Sequence, residues 1–327
     1  MTILDYYKYA SLATAAYVRA GALNPQDLDY QARFAELGRQ QDRLPLSIGQ
    51  FLFDSNNIYG NQSVWSILHY YGGDATANPI AAADHSGFAA TLFSQTTTQG
   101  QTPVVEKVLA VRGTEPGRDD GIDLWGADIA EIGVLGMALT QAVSMANLLQ
   151  RLRASTADTS VKQFGVSSAL QPQSENAVGV SGTVHGFDVN GMPTSNPVTV
   201  YIDLVPVADA TGLQQIGVGE KISVTGHSLG GHLAILAARL FPDLINSEVV
   251  VFNSPGFDAE TASSALVPTS TALDNLAQSM GVEAGYINPQ AHKLTDKFVD
   301  LLRSTIAPSA LINFNVDAGR GRTSARL

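Results

Sequence analysis

The chain has 327 residues, of which 45% are hydrophobic, 30 are acidic and 19 are basic, so its formal net charge is −11. This length and apolar content allow one large domain with a sizeable core, and the acidic balance argues against a nucleic-acid partner. The absence of cysteine excludes disulfides, thiolate metal sites and a cysteine nucleophile.

Neither a cleaved targeting signal nor a membrane span is expected. Met1–Val18 carries Asp5 and three early tyrosines, and it lacks a basic start followed by an apolar core. The most apolar long stretch, Ile132–Leu149, contains Thr140 and Gln141 and is too polar to cross a bilayer. We therefore expect a protein that is secreted without an N-terminal signal peptide, with a cytoplasmic location left open.

The N-terminal region is predicted to begin with two helices. Residues 4–19 place tyrosines and alanines on one helical face, as in an amphipathic helix packed on a core. Gln26–Gln41 predicts a second, more polar helix. Two aromatic-rich segments follow, Phe51–Gly60 and Trp65–Tyr71, with turn residues around them.

Two strands are predicted next, over Gly87–Ser94 and Lys107–Val111, joined by a polar loop that contains TTTQGQTP. So short a connection favours an antiparallel pair. The second strand runs into Arg112-Gly113-Thr114. A strand that ends in Gly-Thr upstream of a nucleophile turn is a typical place for an oxyanion donor, which makes Thr114 a candidate. An ordinary β-turn capped by Thr114 is the alternative.

The following segment is acidic and then apolar. Asp119, Asp120 and Asp123 are candidate calcium ligands, or they favour the N-terminus of the next helix by their charge. That helix is predicted over Glu131–Arg153 and is apolar on most sides. It is interpreted either as a core helix or as part of a mobile lid over the site.

An insertion is predicted at about 154–219, where Ser, Gln, Thr and Gly are frequent. Within it, Val184–Val189 and Val198–Val207 have strand character, and Asn190-Gly191 between them signals a turn. The pattern predicts a β-hairpin beside the main domain.

Residues 221–242 combine a strand, a sharp turn and a helix. Ile222–Thr225 is rich in β-branched residues, the turn fits G-x-S-x-G, and helical spacing of apolar residues continues to Pro242. Gly226 and Gly230 remove bulk around Ser228, as a strained turn that exposes a reactive serine requires. Ser228 is therefore the candidate nucleophile. The alternative is a glycine-rich strand–helix turn that binds nothing.

The remaining elements are a strand at Glu248–Phe252, helices at Thr269–Met280 and Pro289–Ile306, and a last strand at Ala310–Val316. Asp317 ends that strand, and an arginine-rich tail without helical or strand periodicity follows it.

Three motifs in this order, VLAVRGTEPG, GHSLGG and VVVFNSPGF, resemble the α/β-hydrolase lipases, particularly the class 3 lipase group. DYYKYASLATAAYV resembles the start of bacterial repeats-in-toxin lipases, although their calcium-binding glycine-rich nonapeptides are absent. The resemblance covers residues 4 to about 317 and implies a single α/β-hydrolase domain, with a mostly parallel sheet flanked by helices. It also implies an oxyanion hole formed by Thr114 and by the backbone N–H of Leu229.

A serine nucleophile needs a base and an orienting carboxylate, in the chain order Ser, acid, His for this fold. The strand order implied by the resemblance places the acid at Asp317, after which no histidine follows. His292, served by Asp258, is one candidate base; the other interpretation is a truncated chain that lacks the histidine segment. Four other histidines are interpreted as structural or as unable to reach the serine: His69, His85, His185 and His232.

The nucleophile turn predicts ester hydrolysis through an acyl-Ser228 intermediate, and the resemblance implies lipid-like acyl esters as substrates, including at a lipid–water interface. No organic cofactor is implied, and calcium is an open alternative. Three other functions stay open: a non-catalytic binding module on a hydrolase scaffold, an inactive fragment of a larger lipase, and acyl transfer instead of hydrolysis.

Overall fold

The computed structural model describes residues 2–20, 23, 27–54, 64–72, 86–99, 102–113, 138–175, 177–187 and 192–254. They form a mixed α/β fold, with a central five-stranded sheet flanked by helices and a separate three-stranded sheet. The elements are, in chain order, α1 (Ile3–Ala15), α2 (Tyr30–Gln40), α3 (Leu46–Phe53), β1 (Trp65–Tyr71), β2 (Ala90–Gln99), β3 (Thr102–Val111), α4 (Leu139–Arg153), β4 (Phe164–Ala169), β5 (Val178–Phe187), β6 (Pro193–Pro206), β7 (Ile222–His227), α5 (Leu229–Leu240) and β8 (Ile245–Phe252). The α/β class predicted from the sequence is confirmed.

The central sheet has the strand order β1-β2-β3-β7-β8. The pairs β1–β2 and β2–β3 are antiparallel, whereas β3–β7 and β7–β8 are parallel, so the described part of the sheet is mixed. Val111 lies opposite Gly226, and His227 lies opposite Phe252. The carboxyl ends of β3, β7 and β8 therefore meet at one edge of the sheet, which is the edge that carries Ser228.

Each face of this sheet packs against its own set of helices. Along β3, Leu109 and Val111 belong to the apolar cluster that includes α4 and α5, whereas Val108 and Ala110 belong to the cluster that includes α1, α2 and α3. Successive strand residues point to opposite faces, and both faces here are apolar. The sheet is consequently buried on both sides at the position from which the site projects.

The two predicted N-terminal helices are confirmed as α1 and α2, with shorter bounds. Thr2 begins α1 through a capping box, in which its hydroxyl accepts from the Asp5 N–H and the Asp5 carboxylate accepts from the Thr2 N–H. That hydrogen bond from the Thr2 backbone lowers the pKa of Asp5. Helix α3 was not predicted, and it begins directly after Pro45.

The predicted antiparallel pairing of β2 and β3 is confirmed, but the prediction of a polar loop over TTTQGQTP is wrong. Pairing continues from Ala90↔Val111 outward to Gln99↔Thr102, so most of TTTQGQTP belongs to the strands. Only positions 100 and 101 lie between them. The strands continue because Thr is β-branched and suits a pleated surface, even where it faces solvent.

Helix α4 confirms the core interpretation for the stretch from Leu139 to Arg153, because Met145, Leu149 and Leu152 are fully buried in the larger cluster. Residues 131–137 of the predicted helix lie outside the described part of the chain.

The three-stranded sheet has the order β4-β6-β5, all antiparallel, and contains the predicted hairpin, with Phe187 opposite Pro193. Strand β4 was not predicted. Asn147 of α4 holds this strand through both polar atoms of its amide: Nδ2 donates to the Phe164 carbonyl at 2.7 Å, and Oδ1 accepts from the Phe164 N–H at 3.0 Å.

Several predictions fall outside the described residues: the elements at Thr269–Met280, Pro289–Ile306 and Ala310–Val316, and the acidic residues Asp119, Asp120 and Asp123. In the part of the chain that the structure describes, no helix is both long enough and apolar enough to span a membrane. Nor do the described residues contain a cluster of His, Asp or Glu suited to a metal ion.

Candidate active site

Ser228 lies on the sharp turn between β7 and α5, as the G-x-S-x-G pattern predicts. Its backbone has φ 55° and ψ −128°, a region that residues with a side chain rarely adopt. Such a conformation costs on the order of 1–3 kcal/mol and persists only where the surrounding structure enforces it. The turn lifts a half-buried serine to the edge of the sheet while the residues on both sides stay in regular elements.

Hydrogen bonds to the Ser228 peptide fix this turn. Its N–H donates to the Phe252 carbonyl at the end of β8 at 2.8 Å, and its carbonyl accepts from the Gly231 N–H at 2.9 Å. Leu229 is the first residue of α5, so its N–H has no acceptor within the helix, and its side chain is buried in the core. The positive end of the α5 dipole and this N–H both favour negative charge beside Ser228.

Two glycines of the turn are required by the close approach of backbone to backbone. A Cβ at Gly226 would lie 2.3 Å from the Gly230 carbonyl oxygen, and one at Gly230 would lie 2.2 Å from the Val111 carbonyl oxygen. These distances are far shorter than a van der Waals contact. The turn can therefore close only because both positions lack a side chain, in agreement with the lack of bulk around Ser228 that was predicted for them.

The end of β3 reaches the same place. A Cβ at Gly113 would lie 2.4 Å from the His227 carbonyl oxygen and 3.3 Å from Ser228 Cβ. Gly113 is thus packed against the turn that carries Ser228. Thr114 itself lies outside the described residues, and its role stays a prediction.

Tyr17, just after α1, also reaches the turn, and sequence reasoning missed it. Its hydroxyl lies 3.0 Å from His227 Nδ1, and both residues are half-buried. They are 210 positions apart in the chain. No local pattern points to such a contact, although a tyrosine-rich amphipathic helix and a histidine inside G-x-S-x-G were both visible.

No histidine among the described residues is hydrogen-bonded to the Ser228 hydroxyl. His232 is fully buried on the first turn of α5. His69 is on β1, at the far side of the sheet, where burial and then the nearby Arg151 charge lower its pKa to about 4. The predicted base His292 and carboxylates Asp258 and Asp317 lie outside the described residues, so the structure does not test them.

A cavity of about 570 Å³ lies at the opposite end of the strands from Ser228. It is lined by Glu220, which precedes β7, and by charged residues of both signs, including Arg153 and Lys162. These cations pair with Asp243 at 3.3 Å and Asp209 at 2.8 Å respectively. Because it lies far from Ser228 along β7 and its charges are already paired, we do not assign it to an acyl substrate.

Comparison of the chain with protein-family models, curated proteins and solved structures gives no match in any of the three. The function therefore has to be argued from the site. The site consists of a serine on a strained turn at the N-terminus of a helix, with a strand end packed beside it. This arrangement suits nucleophilic attack on a carbonyl carbon, with the helix N-terminus facing the oxyanion that forms.

Proposed function

We propose that the protein is a serine carboxylic ester hydrolase that acts on lipid-like acyl esters. The observation that carries the proposal is the backbone conformation of Ser228, whose φ of 55° places the half-buried serine on a sharp turn between β7 and the N-terminus of α5. Holding a non-glycine residue in this conformation costs about 1–3 kcal/mol, and strain of this kind is concentrated at functional sites. In a hydrolase the same strain presents the nucleophile.

In the proposed reaction, Ser228 Oγ attacks the ester carbonyl carbon and its proton passes to a base. The tetrahedral oxyanion would accept hydrogen bonds from the Leu229 N–H and from Thr114. Collapse of this intermediate releases the alcohol, which takes the proton, and leaves an acyl-Ser228 ester. Water then attacks this ester, and the fatty acid is released.

Two parts of the catalytic group remain predictions from the sequence. Asp317 is the candidate orienting carboxylate, and His292, with Asp258 as its alternative partner, is the candidate base. No organic cofactor takes part in this chemistry. Calcium binding by Asp119, Asp120 and Asp123 would be structural and is not part of the reaction.

The proposal is tested with p-nitrophenyl esters of increasing acyl length and with a fluorophosphonate probe that labels nucleophilic serines. Ser228→Ala should abolish both turnover and labelling, with a loss on the order of 10⁶ in kcat for a complete catalytic group. Ser254→Ala is the matched control, since Ser254 follows β8 beside the same turn, with its Oγ 3.2 Å from a Cβ placed at Gly231.

Labelling of the wild type at Ser228, seen by peptide mass spectrometry, together with turnover that only Ser228→Ala removes, would support the proposal. An unlabelled wild-type protein that hydrolyses none of the esters would contradict it and favour a binding module on this scaffold.

A further inference from the structure

The region around Gly113 brings together two distant parts of the chain, Tyr17 and the turn at His227 and Ser228. A Cβ placed there would lie 2.4 Å from the His227 carbonyl oxygen, 2.6 Å from the Tyr17 hydroxyl and 3.3 Å from Ser228 Cβ. The Tyr17 hydroxyl therefore lies across the same small space from the Ser228 side chain. It also hydrogen-bonds His227 Nδ1 at 3.0 Å, on the residue that precedes the serine.

Tyr17 is itself held from outside the site. Its N–H donates to the Thr14 carbonyl at 3.1 Å, and its carbonyl accepts from the Arg43 guanidinium at 3.0 Å. Farther back on α1, the Thr225 hydroxyl of β7 lies 3.3 Å from the Tyr9 carbonyl oxygen. Helix α1 is thus attached to β7 at two levels, and Tyr17 forms the attachment at the Ser228 level.

We propose that Tyr17 is a positioning residue of the Ser228 site: through His227 it fixes the nucleophile turn against the end of β3. This inference rests on the proposed hydrolase function and adds to it a residue that neither the G-x-S-x-G nor the RGT segment contains. The distance between the serine and the segment that leads to Thr114 depends on how the His227 peptide lies against Gly113. The Tyr17 hydroxyl hydrogen-bonds the His227 ring and lies beside Gly113, so it is close to both residues of this packing.

The matched control is on the same helix. Tyr9 is almost completely buried, and its hydroxyl lies 3.3 Å from Glu106, on β3 before its buried end. Tyr9→Phe and Tyr17→Phe each remove one phenolic hydroxyl from a hydrogen bond to a side chain. Only the second change touches the Ser228 end of the sheet.

Steady-state kinetics on p-nitrophenyl butyrate separate the two. Tyr17→Phe should lower kcat about ten-fold with KM within about two-fold, the size expected when one hydrogen bond no longer holds a reactive geometry. Tyr9→Phe should keep the wild-type kcat. His227→Asn, whose amide can take the Nδ1 position, should retain more activity than His227→Leu, but only while Tyr17 is present.

A second readout does not depend on turnover. In ¹H–¹⁵N spectra of the full chain, Tyr17→Phe should shift the His227 ring nitrogens and the amides of Gly113 and Ser228, whereas Tyr9→Phe should leave them in place. Equal kinetics for the two tyrosine variants, or unshifted amides at Gly113 and Ser228, would overturn the inference. If the wild type hydrolyses no ester, the proposed function fails separately, and the spectra still decide whether Tyr17 positions the turn.

Discussion

The half-buried histidine of β1 predicts that the fold loses stability in acid. His69 has an ordinary pKa of 6.5, which burial lowers to about 4, with a further contribution from the charge of Arg151. The unfolded chain therefore binds the His69 proton more tightly than the folded chain does. The contribution of neutral His69 to the free energy of unfolding is fully present well above pH 6.5 and is lost as the pH drops toward 4. The full change corresponds to roughly 3 kcal/mol, of which about 2 kcal/mol is lost by pH 5.

The assay is urea unfolding at pH 7, 6 and 5, followed by tryptophan fluorescence, to which the buried Trp65 on the same strand contributes. His69→Gln cannot take up the proton, so its free energy of unfolding should lack this part of the pH dependence. Glu220, whose pKa is also lowered, affects both proteins equally and mainly below its ordinary value of 4.5. Parallel stability curves for the two proteins between pH 7 and 5 would refute the reasoning.

Two further substitutions test the oxyanion side of the site. Thr114→Val should lower kcat by roughly 10²–10³ with KM unchanged, as loss of one oxyanion donor does, and an effect confined to KM would remove Thr114 from the site. Gly113→Ala should lower kcat at least about ten-fold, because its Cβ would lie 2.4 Å from the His227 carbonyl oxygen and must displace the turn. Gly217→Ala is its control, with the nearest contact at 3.3 Å on the flexible Glu220 side chain. Equal activity of the two alanine variants would count against the packing described here.

The sequence predicted the elements whose signal is local. The turn at Ser228 requires glycine at two positions within five residues, and the strand before it and helix after it have clear periodicity. For this reason the strand, the turn and the helix all appear where they were expected. The antiparallel pairing of β2 and β3 was predictable in the same way, from two nearby strands with a short connection.

The errors have physical causes too. Thr96–Thr98 looked like loop because they are polar, yet they are β-branched and pair in register with Val105, Val104 and Pro103. Helix α3, LSIGQFLF, is apolar on nearly every side and gives no helical alternation. The contact of Tyr17 with His227 is set by tertiary packing across 210 positions, which a single sequence does not reveal.

The base of the proposed reaction can be identified by chemical rescue. In the α/β-hydrolase fold that the motifs resemble, the catalytic histidine follows the last strand, whereas His292 precedes the predicted strand Ala310–Val316. We therefore expect slow ester turnover that His292→Ala leaves unchanged and that added imidazole accelerates, since the small base can take the Ser228 proton. Without a resident base, oxyanion stabilisation and binding can still give roughly 10³-fold over water.

If His292 is instead the base, its alanine variant should be nearly as inactive as Ser228→Ala, and imidazole should accelerate that variant but not the wild type. Ser228→Ala should not respond to imidazole in either case, because the nucleophile itself is then missing.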